Sequence, residues 1–68
     1  MNARIKIGKK IREIRKSKNL TQEEVSLKSG VKRATVTNLE NGRFDAKLST
    51  IEKIADAINC DITIEERK

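Results

Sequence analysis

The sequence predicts an all-α domain of four or five short helices, followed by a short C-terminal β-strand. The chain of 68 residues contains no proline, and Gly30 and Gly42 fall between apolar-periodic segments. Within those segments apolar residues recur three and four positions apart, the spacing of one helix face. The tail Cys60-Asp61-Ile62-Thr63-Ile64-Glu65 instead alternates apolar and polar, with β-branched residues, which is strand period.

The first helix is expected over about residues 4–18, with Ile7, Ile11 and Ile14 on one stripe and an end at Ser17-Lys18-Asn19. Gly8 inside it costs about 1 kcal/mol relative to alanine, so something should crowd that position. Thr21-Gln22-Glu23-Glu24 is a capping box. The Thr21 hydroxyl accepts from the amide of residue 24, and Glu24 reaches back to the amide of residue 21. The second helix runs to about Ser29, with Gly30 as its left-handed stop and Val31 folding back onto it. The third spans about residues 32–41, with Val36 and Leu39 inward and Gly42 ending it. Helical periodicity on both sides argues against a hairpin at Asn41-Gly42. A loop covers residues 43–47. The fourth helix spans about residues 48–59, with Leu48, Ile51, Ile54, Ala55 and Ile58 on one face. Ser49-Thr50-Ile51-Glu52 offers a second capping box there, and Asn59 suits a left-handed cap.

This length holds one domain over residues 1–68, with a core over about 4–60 and a tail at 61–68. The chain carries 16 Lys+Arg against 10 Asp+Glu, a net charge of +6. Eight of those cations lie in residues 1–18 beside one acid, Glu13. Such a surface suits a phosphate backbone. With no histidine and one cysteine, the chain lacks an imidazole base, a cysteine metal cluster and an internal disulfide. Neither a Gly-rich phosphate loop nor a nucleophile beside a base is present, so no enzyme, cofactor or metal is expected. The single aromatic, Phe44, argues against base-stacking platforms. No apolar run approaches the roughly 18 residues of a membrane span. With no signal peptide expected, a reduced cytoplasmic setting fits, and Cys60 is expected as a small core residue.

The second and third helices, joined at Gly30-Val31, would form a helix-turn-helix. The run Leu20-Thr21-Gln22-Glu23-Glu24-Val25, then Ser29-Gly30-Val31, then Thr35-Val36-Thr37-Asn38-Leu39-Glu40-Asn41-Gly42 resembles the XRE family. These are the lambda-repressor-like and Cro-like domains of bacteria and phages. Thr50-Ile51-Glu52-Lys53-Ile54-Ala55-Asp56-Ala57-Ile58 resembles their fourth helix, so the likeness covers about residues 5–60.

The resemblance implies binding to double-stranded DNA. It places Arg33, Ala34 and Asn38 on base edges, with Lys32 and Thr35 at the margin. The chemistry suits: Arg33 bidentate to guanine, Asn38 bidentate to adenine, Ala34 against a thymine methyl. Phosphate contacts are expected from Thr21, Gln22, Thr37, Asn41, Arg43 and Lys47, with Lys9 from the first helix. In similar proteins the glutamine matching Gln22 also buttresses a base-reading side chain. Arg15 and Glu40 match a structural ion pair that fixes the first helix against the third. Lys32 departs from the family, which usually has Ser or Thr at this N-cap. The lost cap costs about 1 kcal/mol. An ammonium at the positive helix end becomes favourable only beside an anion.

A lone strand is unstable, so the tail either pairs or docks irregularly. A two-fold copy pairing through Ile62 and Ile64 would give a homodimer suited to a palindromic operator. The function implied is a sequence-specific transcriptional regulator, most simply a repressor. The alternatives are an antitoxin that binds a protein toxin and represses its own promoter, or a restriction–modification controller.

Overall fold

The computed structural model describes residues 3–43 and 45–63. It has four α-helices: α1 (Ala3–Ser17), α2 (Gln22–Ser29), α3 (Arg33–Glu40) and α4 (Leu48–Ala57). The fold is all-α, with no strand among the described residues.

The helix ends follow from local chemistry. Thr21 caps α2 by accepting from the Glu24 amide at 3.0 Å, and Glu24 Oε1 accepts from the Thr21 amide at 3.0 Å. Leu20 and Val25, at the positions flanking this box, both reach the core and staple the entry to α2. Each helix is followed by a residue of positive φ: Asn19 (58°), Gly30 (73°), Gly42 (70°) and Asn59 (58°). After α3 the Gly42 amide donates to Leu39 and the Arg43 amide to Asn38, the paired bonds of a Schellman stop. The same pairs close α1, through Asn19 and Leu20, and α4, through Asn59 and Cys60.

The core is one cluster of Ile11, Val25, Val36, Leu39, Ile54 and Ile58. Ile14, Leu20, Val31, Ala46, Ala57 and Cys60 pack around it. α3 packs on α1 and α2, and α2 on α4. Gly8 is the closest approach of α1 to α3. A Cβ there would lie 2.0 Å from the Leu39 carbonyl oxygen, which is why the helix carries glycine at that position. Lys18 adds a tie that the sequence pattern did not reveal, its Nζ donating to the Ile58 carbonyl at the end of α4.

Three expectations are corrected. Leu48 is 66% exposed rather than inward. It occupies the first position of α4, nearly two turns before the buried stripe that begins at Ile54, and no described element covers it. The Ser49–Glu52 capping box does not form. Lys47 is the N-cap, and its carbonyl accepts from the Thr50 and Ile51 amides, so Ser49 is already inside the first turn. The expected strand is absent where it can be seen. Residues 61–63 are irregular and Ile62 is 46% exposed, since an isolated segment has no ladder to join. Ile64, the other half of that expectation, lies outside the described residues.

Candidate nucleic-acid interface

The turn between α2 and α3 is fixed by its own hydrogen bonds. Ser26 Oγ donates to the Val31 carbonyl at 2.6 Å. The Val31 amide donates to Ser29 Oγ at 3.2 Å, and the Gly30 amide to the Ser26 carbonyl. Val31 is half-buried against the core. These bonds set the direction in which α3 leaves the turn.

Buried Val36, Leu39 and Glu40 define the inner side of α3. Arg33, Ala34 and Asn38 are exposed on its outer side, where they share a face with half-buried Thr37. At 3.6 residues per turn these four positions fall within roughly 140° of the helix circumference. Lys32 is exposed at the N-cap and makes no side-chain cap bond. Thr35 is half-buried and turned away from that face. Asn41 and Arg43 are exposed after α3, the Arg43 backbone held by the Schellman bond. Lys47 is exposed at the start of α4 and Lys9 on α1. Thr21 is exposed, with its hydroxyl used in the α2 cap.

Behind this face stands a buried ion pair. Arg15 donates to Glu40 twice, from Nε to Oε2 at 2.7 Å and from Nη2 to Oε1 at 2.9 Å. Its Nη1 donates to the Leu20 carbonyl at 2.7 Å. One guanidinium thus ties α1 to the last residue of α3 and to the entry of α2. The hydrogen bond to Glu40 raises the Arg15 pKa above its ordinary value, against an opposing contribution from burial. In the first turn of α2, Glu24 is held below the usual carboxylate range, chiefly by the Thr21 amide.

Gln22 is linked to this pair. Its Nε2 donates to Glu40 Oε1 at 3.1 Å, and its Oε1 accepts from the Thr37 hydroxyl at 2.8 Å. Neither bond was expected from the sequence. They cross between helices at separations of 18 and 15 residues, where no local pattern operates.

A rigid two-helix corner whose second helix presents a polar, cationic outer face is a helix-turn-helix. A family model described as "Helix-turn-helix" matches residues 11–64. The immunity repressor protein of Bacillus phage phi105 is 32% identical over 84% of this chain. Control protein C.BamHI of Bacillus amyloliquefaciens is 36% identical over 84% of this chain and 72% of its own length. Among solved structures, the restriction-modification controller protein C.AhdI from Aeromonas hydrophila superposes with a TM-score of 0.81. It is 34% identical, over 85% of this chain and 88% of that one. The chain belongs to the XRE family of helix-turn-helix DNA-binding transcriptional regulators. It spans 40% of the length of the phage repressor. No helix among the described residues is long and apolar enough to cross a membrane.

Proposed function

We propose that this chain reads a palindromic operator in double-stranded DNA as a homodimer and acts on transcription, most simply as a repressor. The observation that carries the reading is the outer face of α3. Arg33, Ala34 and Asn38 project from a helix whose inner side is buried, and the turn before them is fixed by four side-chain and backbone bonds. Arg33 matches guanine, Asn38 adenine and Ala34 a thymine methyl in the major groove. Lys32, uncapped at the positive end of α3, is best placed beside a phosphate. Gln22, Asn41, Arg43, Lys47 and Lys9 then position the chain on the backbone. The net charge of +6 favours the encounter.

Dimerisation is assigned to the tail, where Ile62 is exposed and lines an apolar groove with Ile7, Ile51 and Ile58. Two recognition helices about 34–36 Å apart would meet successive major grooves. The role is that of a binding protein, with no reaction and no cofactor.

A second reading is a restriction–modification controller that also activates transcription. The likeness to C.BamHI and C.AhdI favours it. A protein toxin as partner rests on the tail alone, most of which lies outside the described residues.

The test is a titration of the protein against its own upstream DNA and a shuffled duplex at two salt concentrations. A preference above about 10³-fold that survives the higher salt supports operator reading. Equal, steeply salt-dependent binding to both duplexes refutes it. A promoter fusion separates repression from activation.

A further inference from the structure

Resting on the reading above, in which Gln22 meets phosphate, we propose that Thr37 makes no phosphate contact of its own and is the positioning residue that orients the Gln22 amide. Residues Arg15, Glu40, Gln22 and Thr37 form one continuous chain of hydrogen bonds, and each link has a polarity imposed by the one before it. Arg15 is a donor only, so Glu40, which receives both of its bonds, is held as an accepting carboxylate. A carboxylate next to Gln22 can only accept, which turns the amide so that Nε2 faces Glu40 and Oε1 faces Thr37. Oε1 in turn can only accept, so the Thr37 hydroxyl spends its single proton on Gln22.

The consequence concerns the DNA. A phosphate oxygen is an acceptor and needs a donor. Thr37 lies on the outer face of α3, but its proton is committed at 2.8 Å to Gln22. Half-buried Gln22 keeps one Nε2 proton beyond the one given to Glu40. That proton is the free donor of the group, at the first residue of α2, where unpaired backbone amides also point outward. A threonine inside a helix commonly bonds back to its own preceding turn. Here the hydroxyl is turned to a neighbouring helix instead, which is why its loss should be felt through Gln22.

The experiment is a double-mutant cycle on duplex binding with Thr37→Val and Gln22→Ala, the fold of each checked by circular dichroism. Each single variant is expected to lose on the order of tenfold in affinity, and the double variant no more than the worse single one. Thr37→Ser restores the hydroxyl and is expected to restore affinity. In the free protein, the side-chain amide resonances of Gln22 should shift in Thr37→Val and return in Thr37→Ser. Losses that multiply would mean that Thr37 itself contacts phosphate, and would overturn the proposal. So would unmoved Gln22 resonances, or a Thr37→Val variant that binds as the parent does. A parent chain that binds duplex without sequence preference defeats operator reading and still leaves the cycle readable. One that binds no duplex defeats both.

Discussion

Gly8 in α1 faces the Leu39 carbonyl of α3 with no room for a side chain: a Cβ would stand 2.0 Å from that oxygen and 3.2 Å from the Glu40 carbonyl oxygen. The obstacle is backbone and cannot swing aside. Gly8→Ala would gain about 1 kcal/mol of helix propensity. It would lose more by forcing α1 off α3, for a net cost of about 3 kcal/mol or more. Gly30 is the counterpart. Its φ is 73° but nothing lies within 4 Å of a Cβ. Gly30→Ala should cost only about 1–2 kcal/mol, from left-handed backbone alone. Denaturant midpoints for the two variants check the ranking.

The pair of Arg15 and Glu40 should be strongly coupled. Arg15→Met leaves a buried carboxylate at the negative end of α3 and is expected to cost about 3–5 kcal/mol. Replacing both, as Arg15→Met with Glu40→Leu, should cost far less than the sum of the single variants. Urea unfolding of the four proteins measures the coupling. Additive losses would mean that the pair is not an energetic unit.

Stability and binding should trade against each other at Lys32. The residue sits at the N-cap of α3 without a cap bond. Lys32→Ser is expected to raise stability by about 1 kcal/mol. If Lys32 faces phosphate as proposed, the same change removes that cation, so duplex affinity should fall and the salt slope should drop by about one unit. Thermal melts and salt titrations of one protein sample read both effects.

Acid should weaken the α2 cap in a predictable direction. The Glu24 pKa is lowered in the folded chain, first by the Thr21 amide and then by its hydroxyl. A depressed folded pKa contributes stability above the unfolded value of about 4.3. That contribution is lost as pH falls below it, through the folded value. Glu24→Gln keeps an acceptor for the Thr21 amide and cannot titrate. Its stability should therefore vary less with pH below about 4.3 than that of the parent chain. Urea midpoints across that range give the comparison.

How much of this was legible in the sequence depended on how local the cause was. The Thr21–Glu24 box, the Gly30 stop and the Gly42 stop all form within a few residues, and their signals lie in the same few residues. Gly8 announced a close approach but not its partner. The Arg15–Glu40 pair, 25 residues apart, was readable only through the family resemblance. The wiring of Gln22 to Thr37 and Glu40 was not readable at all, because it depends on the angle between α2 and α3. Leu48 misled because periodicity identifies a face and not what covers its end. The tail misled because alternation specifies a strand only where a second strand exists, and none is present among the described residues.

The central claim is that the outer face of α3 reads base edges while the loop behind it grips phosphate. It is tested most directly by the ratio of operator to shuffled-duplex affinity in Arg33→Ala, Asn38→Ala and Arg43→Ala. In the first two, loss of a bidentate base contact should shrink the ratio by roughly 5- to 150-fold, the equivalent of about 1–3 kcal/mol. In Arg43→Ala both affinities should fall together and the ratio should hold. A ratio that survives the loss of Arg33 and Asn38 would contradict the claim and place sequence reading elsewhere on the chain.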